Sequence, residues 1–411
     1  MNVGLVSTRF AGTDGVTLES SKLAATLEED GQTPVWFAGE RGEHFKPGMT
    51  FPLAHFKDRD VQRLQEASFG GGALTPQTQR SVESLTQELK RALHRFVADF
   101  DIDVMLAENV LCLPMHLPLG LAVGQLVAET GLPAVAHHHD FGWERARFRR
   151  TAVPHLLETA FPPTLDNLRH VVIQSAAREE LKRRRGLESA VLPNVMDFER
   201  GPATPGDGAA YRRAAGLQPQ DVLLLQPTRV VPRKGIETTL QLAYELADDR
   251  VKVVVSHDDG DEGLEYGRFL RREAERLGVD LRFAPVAAES DGPTLADAYA
   301  AADLVCYPSR YEGFGNALLE AFFYRRPVLV NRYPVYARDI APTGVSCIEI
   351  EDGELTGEAI KQAACWLEEP SRYQDAVEAN YRIGHARFSF QVIRERLLPL
   401  VRLPSSGAAA P

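Results

Sequence analysis

The sequence predicts an α/β protein made of two tandem doubly wound domains, each built around a parallel sheet. The chain has 411 residues, which is more than one ordinary core organises. Short apolar runs alternate with amphipathic stretches along most of its length. Such runs are typical of parallel strands that are buried on both faces by helices. The alternation stops at the Pro/Gly-rich segment 201–208 and then resumes, which indicates a second domain.

The first series begins with the strand "NVGLVST", the glycine loop "RFAGTDG" and the helix "VTLESSKLAATLEEDG", followed by the strand "PVWFAG". Three more strands, each preceded by a helical pattern, are predicted at 103–109, 133–140 and 170–176. The second series predicts strands at 221–229, 251–257, 281–286, 302–309 and 326–331. We therefore expect an N-terminal domain over 1–197, a C-terminal domain over 198–388, a helix over 389–403 and a tail over 404–411.

Composition narrows the class of protein. The residues are 44% hydrophobic and 25% charged, as in soluble globular proteins, and no signal peptide or membrane span is predicted, so we expect a cytoplasmic protein. A formal net charge of -11 argues against a nucleic-acid partner. The cysteines have no metal-binding or disulfide spacing, and we expect them to be reduced: Cys112, Cys306, Cys347 and Cys365.

The segment "SRYEGFGNALLEAFFYRRPVLV" places two carboxylates around a glycine turn and an apolar helix. Glycines let the backbone approach a ligand, and free amides at a helix N-terminus bind phosphate or sugar oxygens. Glu312 lies at the mouth of the loop, and Glu320 lies one turn past Asn316. The simpler alternative is a solvated Glu312 and a Glu320 that pairs with Arg325.

A second loop, in "QPTRVVPRKGIETTLQLA", combines Arg229 and Lys234 just before a helix that starts near Gly235. Two cations at a helix N-terminus suit a diphosphate, because charge-assisted hydrogen bonds to phosphate are strong and the helix dipole adds to them. The alternative is that Arg233 and Lys234 form an exposed turn.

Together the two loops resemble the donor site of retaining glycosyltransferases of family 4, which have the GT-B fold of two Rossmann-like domains around a cleft. Arg229 and Lys234 fit the family's Arg and Lys pair, and Glu312 to Glu320 fits its Glu-x7-Glu element. The segment "LPNVMD" (192–197) looks like its Asn-Gly-Val-Asp linker, with Val195 and Met196 in place of Gly and Val. The layout matches over nearly the whole chain, and the motifs are specific over some 60 residues.

The resemblance implies a metal-independent enzyme, without a cofactor, that transfers a hexose from a nucleoside-diphosphate sugar with retention at the anomeric carbon. UDP-glucose and GDP-mannose are the favoured donors. Arg229 and Lys234 would neutralise the diphosphate, Glu312 would hold the sugar, and Glu320 would accept hydrogen bonds from the ribose. The backbone of the loop would add four donor-binding residues: Gly313, Phe314, Gly315 and Asn316. The helix over 389–403 would cross back to the first domain.

In the first domain, "AHHHDFGWERARFRR" (136–150) follows a predicted strand. Alternate side chains of a strand point to opposite faces, so the three histidines are poorly placed for one tetrahedral metal ion. The family carries a histidine near this place that faces the transferred sugar. We select His139, with His137 on the same strand face and His138 as the weaker candidate, and the sequence does not separate them.

Two further hypotheses concern the first domain. Gly12 and Gly15 fit the family's first loop, where the helix from Val16 would offer amides to a donor phosphate or to the acceptor; a plain strand-to-helix turn is the alternative. Arg147 and Arg149 suggest an anionic acceptor, with His137 as a further acceptor-side candidate, against the simpler interpretation of a solvated helix face. The acidic segments 101–103 and 256–263 are interpreted as a turn with a strand start and as a polar loop.

Two other functions stay open. A nucleotide-sugar 2-epimerase of the same fold would convert the donor without an acceptor, and a non-catalytic sensor would bind the donor without turning it over. The expected partners are a nucleotide-sugar and a small-molecule or glycan acceptor, and a homodimer is possible. The sequence does not identify the donor base, the acceptor or the pathway.

Overall fold

The computed structural model describes residues 1–12, 14–202, 206–258, 264–286 and 292–402. The predicted tail and parts of the segments 201–208 and 256–263 lie outside the described residues. The chain forms two compact units. The first unit contains Met1–Pro193 and the segment from Gln391 onward, and the second unit contains Asn194–Phe390.

The first unit has a seven-stranded parallel sheet in the order β5-β3-β1-β6-β7-β8-β9, and β2 and β4 form a separate pair. The strands are β1 (Asn2–Val6), β2 (Arg9–Phe10), β3 (Thr33–Ala38), β4 (Glu40–Arg41), β5 (Gly48–Thr50), β6 (Ile102–Glu108), β7 (Ala134–His138), β8 (Leu168–Val172) and β9 (Ser189–Val191). The helices are α1 (Gly15–Glu29), α2 (Arg59–Phe69), α3 (Pro76–Asp99), α4 (Leu117–Thr130), α5 (Pro154–Ala160) and α6 (Ser175–Arg185).

The second unit has a six-stranded parallel sheet in the order β12-β11-β10-β13-β14-β15. Its strands are β10 (Val222–Gln226), β11 (Val251–Val255), β12 (Asp280–Phe283), β13 (Leu304–Tyr307), β14 (Val328–Asn331) and β15 (Ile348–Ile350). Its helices are α7 (Gly208–Ala214), α8 (Ile236–Leu246), α9 (Leu264–Leu277), α10 (Leu295–Ala301), α11 (Asn316–Phe323), α12 (Gly357–Glu368) and α13 (Ser371–Arg387).

The C-terminal segment contains two short helices, α14 (Phe390–Arg396) and α15 (Leu398–Arg402), where the sequence predicted one. Arg394 and Arg402 form ion pairs with Glu29 and Asp30 at the end of α1. Arg396 Nη1 donates to the carbonyl of Val191 at 2.7 Å. These contacts tie the segment to the first unit.

The doubly wound fold class predicted from the sequence is confirmed, and apolar burial explains why these segments form a sheet. The "VLLLQ" run of β10 and the "IDVMLAE" run of β6 are almost entirely buried, as expected for strands covered by helices on both faces. Within the described residues, no helix is both long and apolar enough to cross a bilayer.

Each sheet has one place where the direction of chain winding reverses. In the first unit this switch point lies between β1 and β6, and in the second unit it lies between β10 and β13. Ligands of doubly wound proteins bind beyond the carboxyl ends of the strands at such points. We therefore expect a ligand to bind at the loops that follow these four strands.

Candidate active site

In the second unit, the loops after β10 and β13 meet through a buried ion pair. Lys234 Nζ lies 2.5 Å from Glu312 Oε1, and Arg233 Nη1 lies 3.0 Å from Glu312 Oε2. Lys234 and Glu312 are only 9% and 7% exposed. The two simpler alternatives, an exposed Lys234 turn and a solvated Glu312, are therefore wrong.

The charges of this cluster do not cancel. Burial would raise the pKa of Glu312, but Lys234 and Arg233 hold it below its usual value, so the carboxylate is ionised at neutral pH. Burial lowers the pKa of Lys234 against the opposing effect of Glu312. Arg229, the other predicted cation, lies exposed in the same loop. Among the described residues, this cluster places Arg229, Arg233 and Lys234 near the single carboxylate of Glu312, which suits an anionic group.

The glycine loop after β13 leads into α11 without a side-chain cap. Gly315 has a φ of 125°, and a Cβ there would come within 2.2 Å of the Tyr333 hydroxyl oxygen. Tyr333 donates that hydroxyl to the carbonyl of Phe314 at 2.8 Å, and Gly313 lies in the bend before it. Asn316 begins the helix, and its Oδ1 accepts a hydrogen bond of 2.6 Å from Asn194. The loop backbone is thus fixed beside an uncapped helix N-terminus, which is a suitable anion site.

Glu320 lies on α11 and accepts a hydrogen bond of 2.8 Å from the hydroxyl of Tyr299. The simpler alternative paired Glu320 with Arg325. In the structure Arg325 instead forms an ion pair with Glu378 at 3.0 Å. Glu320 is only half-buried, so its carboxylate reaches the surface. A carboxylate has about four acceptor sites, more than the Tyr299 hydroxyl uses.

In the first unit, Glu108 at the end of β6 contacts two histidines at the end of the neighbouring strand β7. Its Oε2 lies 3.0 Å from His137 Nδ1 and 3.2 Å from His139 Nε2. Burial would raise the pKa of Glu108, but its charge and hydrogen-bond interactions with His137 and His139 lower it to about 2. Burial would lower the pKa of His139, but Glu108 raises it above the usual value. The group therefore holds an ionised carboxylate and favours a protonated His139.

His138 points to the other face of the sheet, as the alternation along a strand requires. Its Nε2 lies 3.0 Å from His170 Nδ1, and both residues are buried. Burial lowers the pKa of His170 to about 4 and that of His138 well below its usual value. These two histidines form a neutral pair away from Glu108, which separates His138 from His137 and His139.

The segment after His139 is not the helix that the simpler interpretation assumed. It forms two short 3-10 turns, Gly142–Glu144 and Ala146–Phe148. Arg147 lies over the ring of Phe148 at 4.6 Å, and Arg149 lines a cavity together with Arg184 and Arg185 of α6. Neither of these contacts involves Glu108, His137 or His139.

The loop after β1 uses its helix amides internally. Gly12 has a φ of 77°, and Gly15 is the first residue of α1. The carboxylate of Asp14 caps this helix by accepting from the amides of Val16 and Thr17 at 3.1 and 3.2 Å. These amides are therefore occupied, contrary to the expectation that they would be offered to a ligand.

A cavity of about 200 Å³ lies at the switch point of the first unit. The loops after β1 and β6 line it, with Ser7, Arg9, Asp14, Glu108 and Asn109 among the polar residues. Arg9 Nη2 lies 2.8 Å from Asp14 Oδ2. The cavity therefore combines polar walls with the position in the fold where a ligand is expected.

Glu108, His137 and His139 are also the group in the described part of the chain whose donor atoms could hold a metal ion, since these atoms all lie within 4.8 Å of one another. Metal-bound imidazoles almost always donate their second N–H to a carboxylate, a carbonyl or water. No residue in the described part of the chain forms a hydrogen bond with the buried His137 Nε2. Glu108 contacts both rings directly, so the contacts present are those of a hydrogen-bonded group.

Sequence reasoning missed Glu108 and Asn109, and it considered Arg233 only as part of an exposed turn. A signal was present, because "DVMLAEN" ends an apolar strand with a carboxylate and an amide. Asn109 Oδ1 accepts from the backbone N–H of His139 at 3.0 Å, and Asn109 Nδ2 donates to Asp140 Oδ1 at 3.2 Å. These contacts join the ends of β6 and β7, which only the sheet order brings together.

Comparison with known proteins gives consistent results. The family model described as "Glycosyl transferases group 1" matches residues 208–382. Mannosylglucosylglycerate synthase of Thermotoga maritima is 30% identical over 97% of this chain and 99% of its own length. The protein of the same name from Petrotoga mobilis is 31% identical over 85% of this chain and 86% of its own length. Among solved structures, HepE of Anabaena with UDP and glucose has a TM-score of 0.66 and 17% identity, covering 96% of this chain and 97% of its own.

Proposed function

The chain belongs to the glycosyl transferases group 1 family and is a glycosyltransferase, and we propose that it transfers a hexose from a nucleoside-diphosphate sugar to an anionic acceptor with retention. The observation that carries this proposal is the buried pair of Lys234 and Glu312 at the switch point of the second unit. One carboxylate with an excess of cations, beside an uncapped helix, suits a sugar diphosphate.

Each donor-site residue has a proposed role. Lys234 has three N–H donors, so it can keep Glu312 and still bind a phosphate oxygen, with Arg229 as the second phosphate ligand. Glu312 and the loop Gly313–Asn316 hold the sugar and phosphate oxygens. Glu320 accepts hydrogen bonds from the ribose. Charge on the leaving diphosphate is thereby stabilised without a metal ion.

The names of the relatives support the choice of substrates. Mannosylglucosylglycerate contains a mannosyl and a glucosyl group and ends in a glycerate, which carries a carboxylate. We therefore propose a small glycoside with a carboxylate as the acceptor, and GDP-mannose as the first donor to screen, with UDP-glucose second. His139 is the proposed contact of the transferred sugar, and Arg147 and Arg149 remain proposed contacts of the acceptor.

The first test is calorimetric binding of UDP, GDP and ADP in excess chelator. We expect one nucleotide to bind without a metal ion and Lys234→Ala to weaken it by about 10- to 100-fold, because a charge-assisted hydrogen bond is lost. Lys252→Ala is the matched control, since Lys252 is a largely buried lysine on β11 that pairs with Asp280. Equal losses in both variants, or no binding by any nucleotide, would remove the basis of the donor site.

The second test follows the reaction by NMR with each donor and a glycerate glycoside. We expect acceptor-dependent transfer and a product with the anomeric configuration of the donor. An inverted product would contradict retention. Donor that is converted without any acceptor would instead identify an epimerase.

A further inference from the structure

Glu108 lies between two of the three consecutive histidines, His137 and His139. It is 0% exposed at the end of an apolar strand, where an unpaired carboxylate is costly. His137 Nδ1 lies 3.0 Å from Oε2 and 3.3 Å from Oε1, and His139 Nε2 lies 3.2 Å from Oε2. One carboxylate therefore holds both rings at the end of β7.

His137 and His139 differ in how far their side chains are exposed to solvent. The side chain of His139 is 10% exposed, against 3% for His137. Glu108 occupies Nε2 of His139, and no residue in the described part of the chain forms a hydrogen bond with its Nδ1. His139 is thus the ring that can still bind a ligand, and Nδ1 is the atom left to do so.

The backbone of His139 is held as well. Asn109 follows Glu108 in the chain, has a φ of 62° and accepts the backbone N–H of His139 at 3.0 Å. Two consecutive residues of β6 and its loop therefore fix both the main chain and the ring of His139. Such support from rigid elements is what a preorganised site requires.

We propose that Glu108 is the positioning residue of His139: it holds Nε2 so that Nδ1 is presented to the substrate. The inference rests on the proposed function, in which His139 contacts the transferred sugar. Glu108 itself touches no substrate atom in this arrangement and acts through the ring.

The surrounding charges are compatible with this role. Glu108 and His137 face His139 from the sheet, and Glu19 of α1 and Asp140 add negative charge. Glu19 pairs with Lys22 at 2.6 Å, and Asp140 pairs with Arg145. Glu108 is therefore the acid that contacts the His139 ring directly, and its pairing favours the protonated ring, a donor to sugar oxygens.

The experiment compares Glu108→Gln, which keeps an acceptor oxygen, with Glu108→Leu, which keeps neither oxygen nor charge. We expect kcat to fall about 10-fold in the first variant and about 100-fold in the second, with nucleotide affinity unchanged, because a misplaced group costs rate. His170→Gln is the matched control. It removes the buried contact between the imidazoles of His138 and His170, and it should leave kcat within about 3-fold of the wild-type value. Equal effects in all three variants would overturn the proposal, because they would indicate loss of general stability.

A double variant tests whether Glu108 acts through His139. In a His139→Ala background, Glu108→Leu should cause almost no further loss of kcat, since the two residues work as one unit. Additive losses would contradict the proposal.

A third measurement needs no activity, so it distinguishes this inference from the proposed function. Imidazole NMR, assigned with His139→Ala, should show a proton on His139 Nε2 that is protected from solvent exchange and is lost in Glu108→Leu. Its presence supports the inference even if no donor is turned over, and its absence overturns it. Elemental analysis of the purified protein should find no stoichiometric metal ion. A metal ion that is present in the wild type and absent from Glu108→Gln would identify Glu108 as a metal ligand, and this would also overturn the proposal.

Discussion

Glu320 illustrates at the scale of one residue how a carboxylate in an apolar helix is retained. Burying a carboxylate without a partner is costly, and Tyr299 supplies a hydrogen bond at 2.8 Å while the residue stays half-buried. The hydroxyl of Tyr299 is also 3.0 Å from the carbonyl of Ala317. Tyr299 therefore orients the carboxylate on α11, which is the arrangement that a ribose-binding residue needs.

This gives a prediction for the nucleotide. If Glu320 has the proposed role, Glu320→Ala should weaken binding of the ribonucleotide by about 10- to 100-fold, because the ribose hydroxyls would lose a charged acceptor. The same substitution should have little effect on a 2′,3′-dideoxynucleotide, which already lacks those hydroxyls. Calorimetry with both ligands measures the difference. A loss of equal size for both nucleotides would mean that Glu320 does not contact the ribose.

At the scale of elements, the strand period of β7 decides which histidines act together. His137 and His139 face Glu108, whereas His138 faces His170. The second pair is buried and neutral, and a third buried histidine, His116, has its pKa lowered to about 4 by burial. The first unit therefore contains histidines that fold in the uncharged state.

These neutral histidines predict a loss of stability in acid. The folded pKa of about 4 for His170 and His116 lies below the ordinary 6.5, so the unfolded chain binds protons that the folded chain does not. Their contribution is complete above pH 6.5 and is lost as the pH falls towards 4, at about 1.4 kcal/mol per histidine and pH unit.

Urea unfolding at constant ionic strength over this range measures the slope. A His116→Gln and His170→Gln double variant should have a shallower slope than the wild type between pH 4 and 6.5, and His138, whose pKa is also lowered by burial, should contribute to the slope that remains. If the double variant keeps the full wild-type slope, groups other than His116 and His170 determine the acid sensitivity.

Two helix N-termini show that capping decides which one is open to an anion. In α1, Asp14 accepts from the amides of Val16 and Thr17, so these donors are satisfied internally. In α11, Gly315 stands at the cap position and supplies no side-chain acceptor. The same loop-to-helix pattern in the sequence thus leads to an occupied terminus in one unit and an open one in the other.

At the scale of the molecule, the chain end returns to the unit in which the chain began. Leu398 is 3% exposed, and α15 packs on β7, the strand that contains His137 and ends just before His139. Two ion pairs, between Arg394 and Glu29 and between Arg402 and Asp30, fix the segment on α1. The segment therefore supports the strand on which the histidines lie.

We predict that Leu398→Ala lowers the free energy of unfolding by about 2 to 5 kcal/mol, because it leaves a cavity against the sheet. Leu400→Ala is the matched control at a partly exposed position and should cost much less. Nucleotide affinity should be the same in both variants, since the proposed donor-site residues belong to the second unit. Denaturant unfolding and calorimetry check this, and equal destabilisation by both variants would contradict it.

The sequence by itself determined the fold class and the family resemblance. Apolar runs with intervening amphipathic stretches indicate parallel sheets because strand burial depends on local composition. The spacing of Arg229, Lys234, Glu312 and Glu320 is a linear motif, so it could be found without coordinates. The limits of the C-terminal helix were less well predicted, because both short helices share one apolar pattern.

Only the tertiary structure decided how these residues are paired. Lys234 and Glu312 are 78 positions apart, and they meet because β10 and β13 are neighbours at the switch point. Glu108 meets His139 because β6 lies beside β7. Partners of this kind are set by strand order and burial, and neither can be read from one segment of the chain. The sequence determined which chemical groups are present. The order and packing of the strands determined which of these groups form ion pairs and hydrogen bonds with one another.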